Sequence, residues 1–203
     1  MEPREHWRHV YAVKRPDEVS WFQGSPGPSL DALDRCGTGP DMSLVDVGAG
    51  ASSLADVLLD RGWTDVTLVD ISETALEASR LRLGPRASKV RWEAADIRDW
   101  RPDRAFDVWH DRAVFHFLTE PGDRAAYRNA LIDGTHPGSH VILATFAPDG
   151  PDKCSGLPVR RYDAAALADE LGAEFELVDD WRQTHVTPWG SEQSFQWCLF
   201  TRR

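Results

Sequence analysis

Five short apolar runs recur along the first three quarters of the chain: MSLVDVG, TDVTLVD, KVRWEAAD, AFDVWHD and HVILATFA. Each is bounded by Gly, Asp, Pro or charged residues, which predicts strands. Apolar positions at helical spacing lie between them. They predict helices over Ser52–Arg61 with Gly62 as its stop, Ser72–Leu83 ended by Gly84-Pro85, and Pro121–Ile132 ended by Gly134. Strand and helix in alternation predict an α/β fold, a doubly wound parallel sheet with helices on both faces, because parallel strands need long crossovers. The last third changes character. After a helix over Asp163–Leu171, the runs FELVDDWRQT and EQSFQWCLFTR are separated only by THVTPWGS, which predicts a terminal antiparallel pair and a mostly parallel seven-stranded sheet. The segment Ala147–Tyr162, APDGPDKCSGLPVRRY, is long for a loop in a compact domain and is a candidate functional loop.

The first strand passes into the first helix through LVDVGAGASSLADVLL. Gly48 and Gly50 let the backbone turn sharply and let a ligand come close, with the helix N–H groups aimed at it. A dinucleotide turn wants a third glycine where this chain has Ser53, which weakens a nicotinamide reading. Asp70 closes the second strand 20 residues beyond Gly50, the distance at which an acid accepts hydrogen bonds from ribose hydroxyls. An NAD ribose or an adenosine ribose satisfies it equally.

Composition narrows the partners. The chain has 203 residues, 41% of them hydrophobic, and reads as a single domain over residues 1–203 with residues 1–40 as an aromatic-rich lid segment. A net charge of −10 opposes nucleic acid as a partner. Cys36, Cys154 and Cys198 form neither a disulfide framework nor a zinc spacing, which suggests a reducing cytoplasm. The N-terminal segment lacks the apolar core of a signal peptide, and no run of about 18 apolar residues points to a membrane.

In order and spacing, VDVGAGAS, LVDIS, AADIRDW and FDVWHDRAVFHF resemble the successive motifs of class I S-adenosylmethionine-dependent methyltransferases, over roughly residues 40–203. The N-terminal HWRHVYAVKRPDEVSWFQ is similar to the lead segment of bacterial small-molecule members. The resemblance implies a Rossmann-like fold whose sheet ends in a reversed strand, and S-adenosylmethionine as cofactor. It implies Gly48, Ala49 and Gly50 as the turn beneath the methionyl and ribose portions, and Asp46 near the cofactor's amino group. Asp70 would hold the ribose hydroxyls and Ile71 would pack on adenine. Asp96 would take the adenine amine, the Ile97 N–H would reach a ring nitrogen, and His110 would sit beside the transferable methyl.

Methyl transfer is an in-line displacement, so a base is needed only when the acceptor must lose a proton. The segment WHDRAVFHF offers His110, Asp111 and His116 as candidate catalytic residues at the carboxyl edge of the sheet. Asp111 either orients a histidine or pairs with Arg112 as scaffold. The Asn- or Asp-Pro-Pro-aromatic motif of DNA amino-methyltransferases is missing here. A small-molecule acceptor is therefore expected, with a protein lysine as the alternative. A nicotinamide-dependent reductase and a non-catalytic cofactor-binding protein are the readings outside that chemistry. Trp7, Tyr11, Trp21 and Phe22 form either a lid over an apolar acceptor or the packing face of a leading helix. Cys154 is the cysteine expected to be exposed, His185 could border the pocket, and Trp92 and Trp109 read as core.

Overall fold

The computed structural model describes residues 3–203. Helix α1 (Pro3–Val13) and helix α2 (Gly27–Arg35) precede an alternating core of β1 (Leu44–Val47), α3 (Leu54–Asp60), β2 (Val66–Asp70), α4 (Glu73–Leu83), β3 (Val90–Ala94), β4 (Phe106–Arg112), α5 (Pro121–Asp133) and β5 (Thr135–Phe146). A small hairpin, β6 (Lys153–Cys154) and β7 (Leu157–Pro158), follows, then α6 (Ala164–Leu171), β8 (Phe175–Val186) and β9 (Glu192–Arg202). The expected helices form within about two residues of their expected ends. Their caps are those the sequence offers: the Ser72 and Asp163 side chains accept from the N–H groups of Ala75 and Ala166. The pattern did not predict α2, which lies inside the expected lid segment.

Seven strands form one sheet in the order β3-β2-β1-β4-β5-β9-β8. The first five are parallel, and β9 runs antiparallel to both β5 and β8. The sheet is thus Rossmann-like, mostly parallel and closed by an antiparallel hairpin. The chain winds outward through β2 and β3, then returns to place β4 on the other side of β1. Ligands bind at such a reversal, beyond the carboxyl ends of the strands.

The pleat sorts side chains into two cores. Leu44, Leu68, Val108, Ile142 and Trp197 pack with residues of α2, α3 and α4 on one face. Val45, Val69, Trp109, Val141 and Phe200 pack with α5 and α6 on the other. Alternation along β4 therefore sends neighbouring residues to opposite faces.

Candidate functional site

Two adjoining cavities, about 300 and about 250 Å³, open at the carboxyl ends of β1, β2 and β4. Gly48, Tyr11, Trp21 and Arg112 line both. The larger is bordered by Asp70, Ile71, Asp96 and Ile97, and the smaller by Asp46, Ala49, Gly50 and His110. Every expected cofactor-binding residue thus borders one cavity or the other.

The turn after β1 takes left-handed backbone at Gly48 (φ 69°) and Gly50 (φ 54°). What lies against these glycines is the protein itself: a Cβ on Gly48 would meet the Val114 Cγ2 at 1.9 Å, and one on Gly50 would meet the Tyr11 hydroxyl at 2.5 Å. Side chains from the β4 exit and from α1 thus approach the turn closely, while both glycines also border a cavity.

The Asp70 carboxylate accepts from the Gly50 N–H at 2.8 Å and the Ser72 N–H at 2.7 Å, one bond to each oxygen. It ties the glycine turn to the start of α4. Burial outweighs both bonds and pushes its pKa up to about 6. An acid so placed on a cavity wall has free lone pairs and too few donors. Asp96 is better served. Burial alone would raise it, but Arg98 donates from its backbone N–H, Nε and Nη2 and holds it below the usual carboxylate range.

The candidate catalytic cluster is divided by the pleat. Asp46 and His110 are register partners on β1 and β4, with Asp46 Oδ1 2.7 Å from His110 Nδ1. His110 Nε2 lies 3.0 Å from Ser29 Oγ, so both ring nitrogens are engaged and the imidazole links Asp46 to α2. Asp111 points to the other face, which corrects its expected catalytic role. Its carboxylate accepts from the N–H groups of Val114 and Phe115 and from the Tyr127 hydroxyl, and it lines neither cavity. Burial pushes it up to about 6, opposed chiefly by the Tyr127 hydrogen bond. Nor does it pair with Arg112, the scaffold alternative.

His116 is likewise corrected. It is buried away from both cavities and accepts the Phe146 N–H at Nδ1. Burial, with the nearby Arg112 charge, lowers it to about 3, so it is neutral and a poor base.

The N-terminal aromatics Trp7, Tyr11 and Trp21 line the larger cavity and Phe22 the smaller, with Trp7 edge-on to both Trp21 and Phe117 at centroid distances of 5.5 and 5.2 Å. Cys154 is buried rather than exposed, because the hairpin β6-β7 folds it against the larger cavity. A two-residue turn, Ser155-Gly156 with φ 52° and 79°, sets that hairpin. Burial pushes the thiol up to about 11, so it is protonated. His185 Nε2 donates to the Ser20 carbonyl, 2.7 Å away, and borders neither cavity. Ser29, outside any motif, and Val114 and Phe117, apolar positions within FDVWHDRAVFHF, were not singled out by the sequence. Among the described residues no cluster of His, Cys, Asp or Glu suits a metal ion, and no helix is long and apolar enough to cross a membrane.

A family described as a methyltransferase domain matches residues 44–132, the span from β1 through nearly all of α5. Trans-aconitate 2-methyltransferase of Sinorhizobium fredii is 26% identical, aligned over 96% of this chain and 79% of its own. Residues 44–132 are thus a methyltransferase domain, and the match supports a class I S-adenosylmethionine-dependent methyltransferase. Solved structures share the methyltransferase's fold. A chain studied for conversion of a disulfide bond into a thioacetal group during echinomycin biosynthesis superposes with TM-score 0.78 at 22% identity, over 99% of this chain and 92% of that one. The N-methyltransferase NodS of Bradyrhizobium japonicum, complexed with S-adenosylhomocysteine, gives TM-score 0.73 at 15% identity, over 97% and 98%. The residues of this methyltransferase fit such a ligand: Asp70 is a cavity-facing acid short of donors, beside a turn of left-handed glycines.

Proposed function

We propose that the methyltransferase binds S-adenosylmethionine across the two cavities and passes its methyl group to a small-molecule acceptor enclosed beneath α1. Asp70 would hold the ribose hydroxyls, Ile71 and Ile97 the adenine edge with Asp96, and Asp46 the amino group. Bound there, the cofactor supplies an electrophilic methyl on a sulfonium. The chain's own residues then exclude water and fix the line of attack, the main requirements of a displacement.

Trp7, Trp21, Phe117 and Leu157 make the acceptor side of the larger cavity apolar. The aromatic lid over this small cavity favours a small molecule over a protein lysine. His110 serves here as a positioning residue. With Nδ1 held by Asp46 and Nε2 by Ser29, it orients the Asp46 carboxylate and anchors α2 to the sheet. With Asp111 and His116 turned away, deprotonation by a free histidine is not built into this cavity.

The carrying observation is the Asp70 carboxylate at the reversal point, bonded to the glycine turn and facing a cavity. Calorimetry tests it: S-adenosylhomocysteine should bind and NADH should not. Labelled S-adenosylmethionine assayed against thiols, carboxylates, amines, phenols and peptides then reports the acceptor. Binding of NADH without response to the thioether would overturn the reading. Cofactor binding with transfer only to peptides would favour the protein substrate. The same fit, with the three free cysteines, supports work in a reducing cytoplasm.

A further inference from the structure

Arg112 is the last residue of β4, on the same face as His110 and at the junction of the two cavities. Its Nη1 donates to the Trp21 carbonyl at 3.1 Å. Its Nη2 is enclosed and has no hydrogen-bond partner, and the guanidinium makes no ion pair among the described residues. It stacks over the Phe195 ring at 5.2 Å and shares the larger cavity with the protonated Cys154 and with Asp70, Asp96 and Asp123, none of which pairs with it. Arg98, the other cation lining that cavity, is committed to Asp96 and Asp123. Asp46, the acid in reach of Arg112's field, is bonded to His110.

The next residue, Ala113, takes φ 74°, a left-handed conformation that a residue with a Cβ adopts at a cost. This turn carries the chain from Arg112 to Val114 over the glycine turn, so the backbone around the guanidinium is held in one shape. A half-buried arginine without a counter-ion is unfavourable unless a ligand completes it, and a guanidinium with Nη2 unpartnered is suited to a carboxylate.

We propose that Arg112 recognises a carboxylate on the methyl acceptor, making the substrate class a small, largely apolar carboxylic acid bound as its anion. This rests on the methyltransferase reading of the site. The negative charge also lies well in a cavity where a sulfonium will sit, and an acceptor arriving as an anion suits a cavity that presents no free base. The cofactor's own methionyl carboxylate carries the same chemistry and is the source to be distinguished.

The test uses the full chain and the variants Arg112→Met and Arg112→Lys, with thermal unfolding as the check of folding. Calorimetry compares S-adenosylhomocysteine with methylthioadenosine, which lacks the amino-acid portion. Ligand-observed NMR on protein saturated with S-adenosylhomocysteine compares matched pairs, cinnamate with cinnamamide and indole-3-acetate with indole-3-acetamide. The expected result is that the acids bind about tenfold or more tightly than their amides, that Arg112→Met erases the preference, that Arg112→Lys keeps part of it, and that S-adenosylhomocysteine affinity stays within about threefold throughout. Equal binding of acids and amides to the unmodified protein would overturn the proposal. So would a loss of about tenfold or more in S-adenosylhomocysteine affinity in Arg112→Met with methylthioadenosine unaffected, because the guanidinium would then serve the cofactor. If the unmodified protein bound neither nucleoside, the methyltransferase reading would fall, a result distinct from both.

Discussion

If Asp70 holds the ribose as proposed, cofactor affinity should depend on pH in a way that can be worked out beforehand. In the ligand-free protein its pKa is about 6, raised from 3.8 mainly by burial. That shift of about two units corresponds to roughly 3 kcal/mol favouring the protonated acid. Two ribose hydroxyls would donate to the ionised form, so binding should lower the pKa again. Affinity is then greatest above pH ~6 and falls as the pH drops through it, by about tenfold between pH 8 and pH 5. Folding of the free protein runs the other way. A carboxyl whose folded pKa is raised adds stability below pH ~4, and this is lost as the pH rises through about 6. Calorimetric titration of S-adenosylhomocysteine at several pH values, in buffers of different ionisation enthalpy, should show weakening affinity and proton release near pH 6. Asp111 titrates in the same range but touches neither cavity, so its contribution is common to free and bound protein and cancels. In Asp70→Asn the affinity should be low and its pH slope absent. A flat affinity from pH 8 to pH 5, or the same slope in Asp70→Asn, would refute the assignment of Asp70 to the ribose.

Gly48→Ala combines a left-handed φ with a methyl 1.9 Å from Val114 Cγ2, so urea unfolding should show a loss of about 2–4 kcal/mol. Adding Val114→Ala should return the steric part only. Asp111→Asn should cost about 1–3 kcal/mol in the same assay by unbalancing the bonds to Val114, Phe115 and Tyr127. Coupling to Tyr127→Phe in a double-mutant cycle is the readout that shows a structural role. His116→Asn keeps an acceptor for the Phe146 N–H, and methyl transfer should stay within about threefold with an unchanged pH profile, whereas a base would cost about a hundredfold. Arg112 is the unpaired cation of the larger cavity, so trans-aconitate, a tricarboxylate, should be methylated at least about tenfold less efficiently than a monocarboxylate of similar size.

Much of the architecture is local and was legible in the chain. Short apolar runs alternating with helical periods, Ser72 and Asp163 as caps, and glycines at positive φ depend on neighbours within a few residues, and these determined the doubly wound order and the terminal hairpin. The candidate cofactor-side residues came from the resemblance of the strand-end motifs, and they border the cavities because strand ends in such a sheet converge on one edge. The acceptor side was not. WHDRAVFHF looks like one polar cluster, yet the period of two along β4 sends His110 and Arg112 to one face and Asp111 to the other. That split was available in the strand pattern once the strand was known to run through Arg112. The pairing of Asp46 with His110, 64 residues apart, depends on which strands are neighbours and in what register. The same holds for the burial of Cys154 and for the lack of a partner at Arg112. These are properties of surroundings assembled from α1, β4, β9 and the β6-β7 hairpin, and no window of sequence contains them; only the packed structure decides which charge is left without an answer.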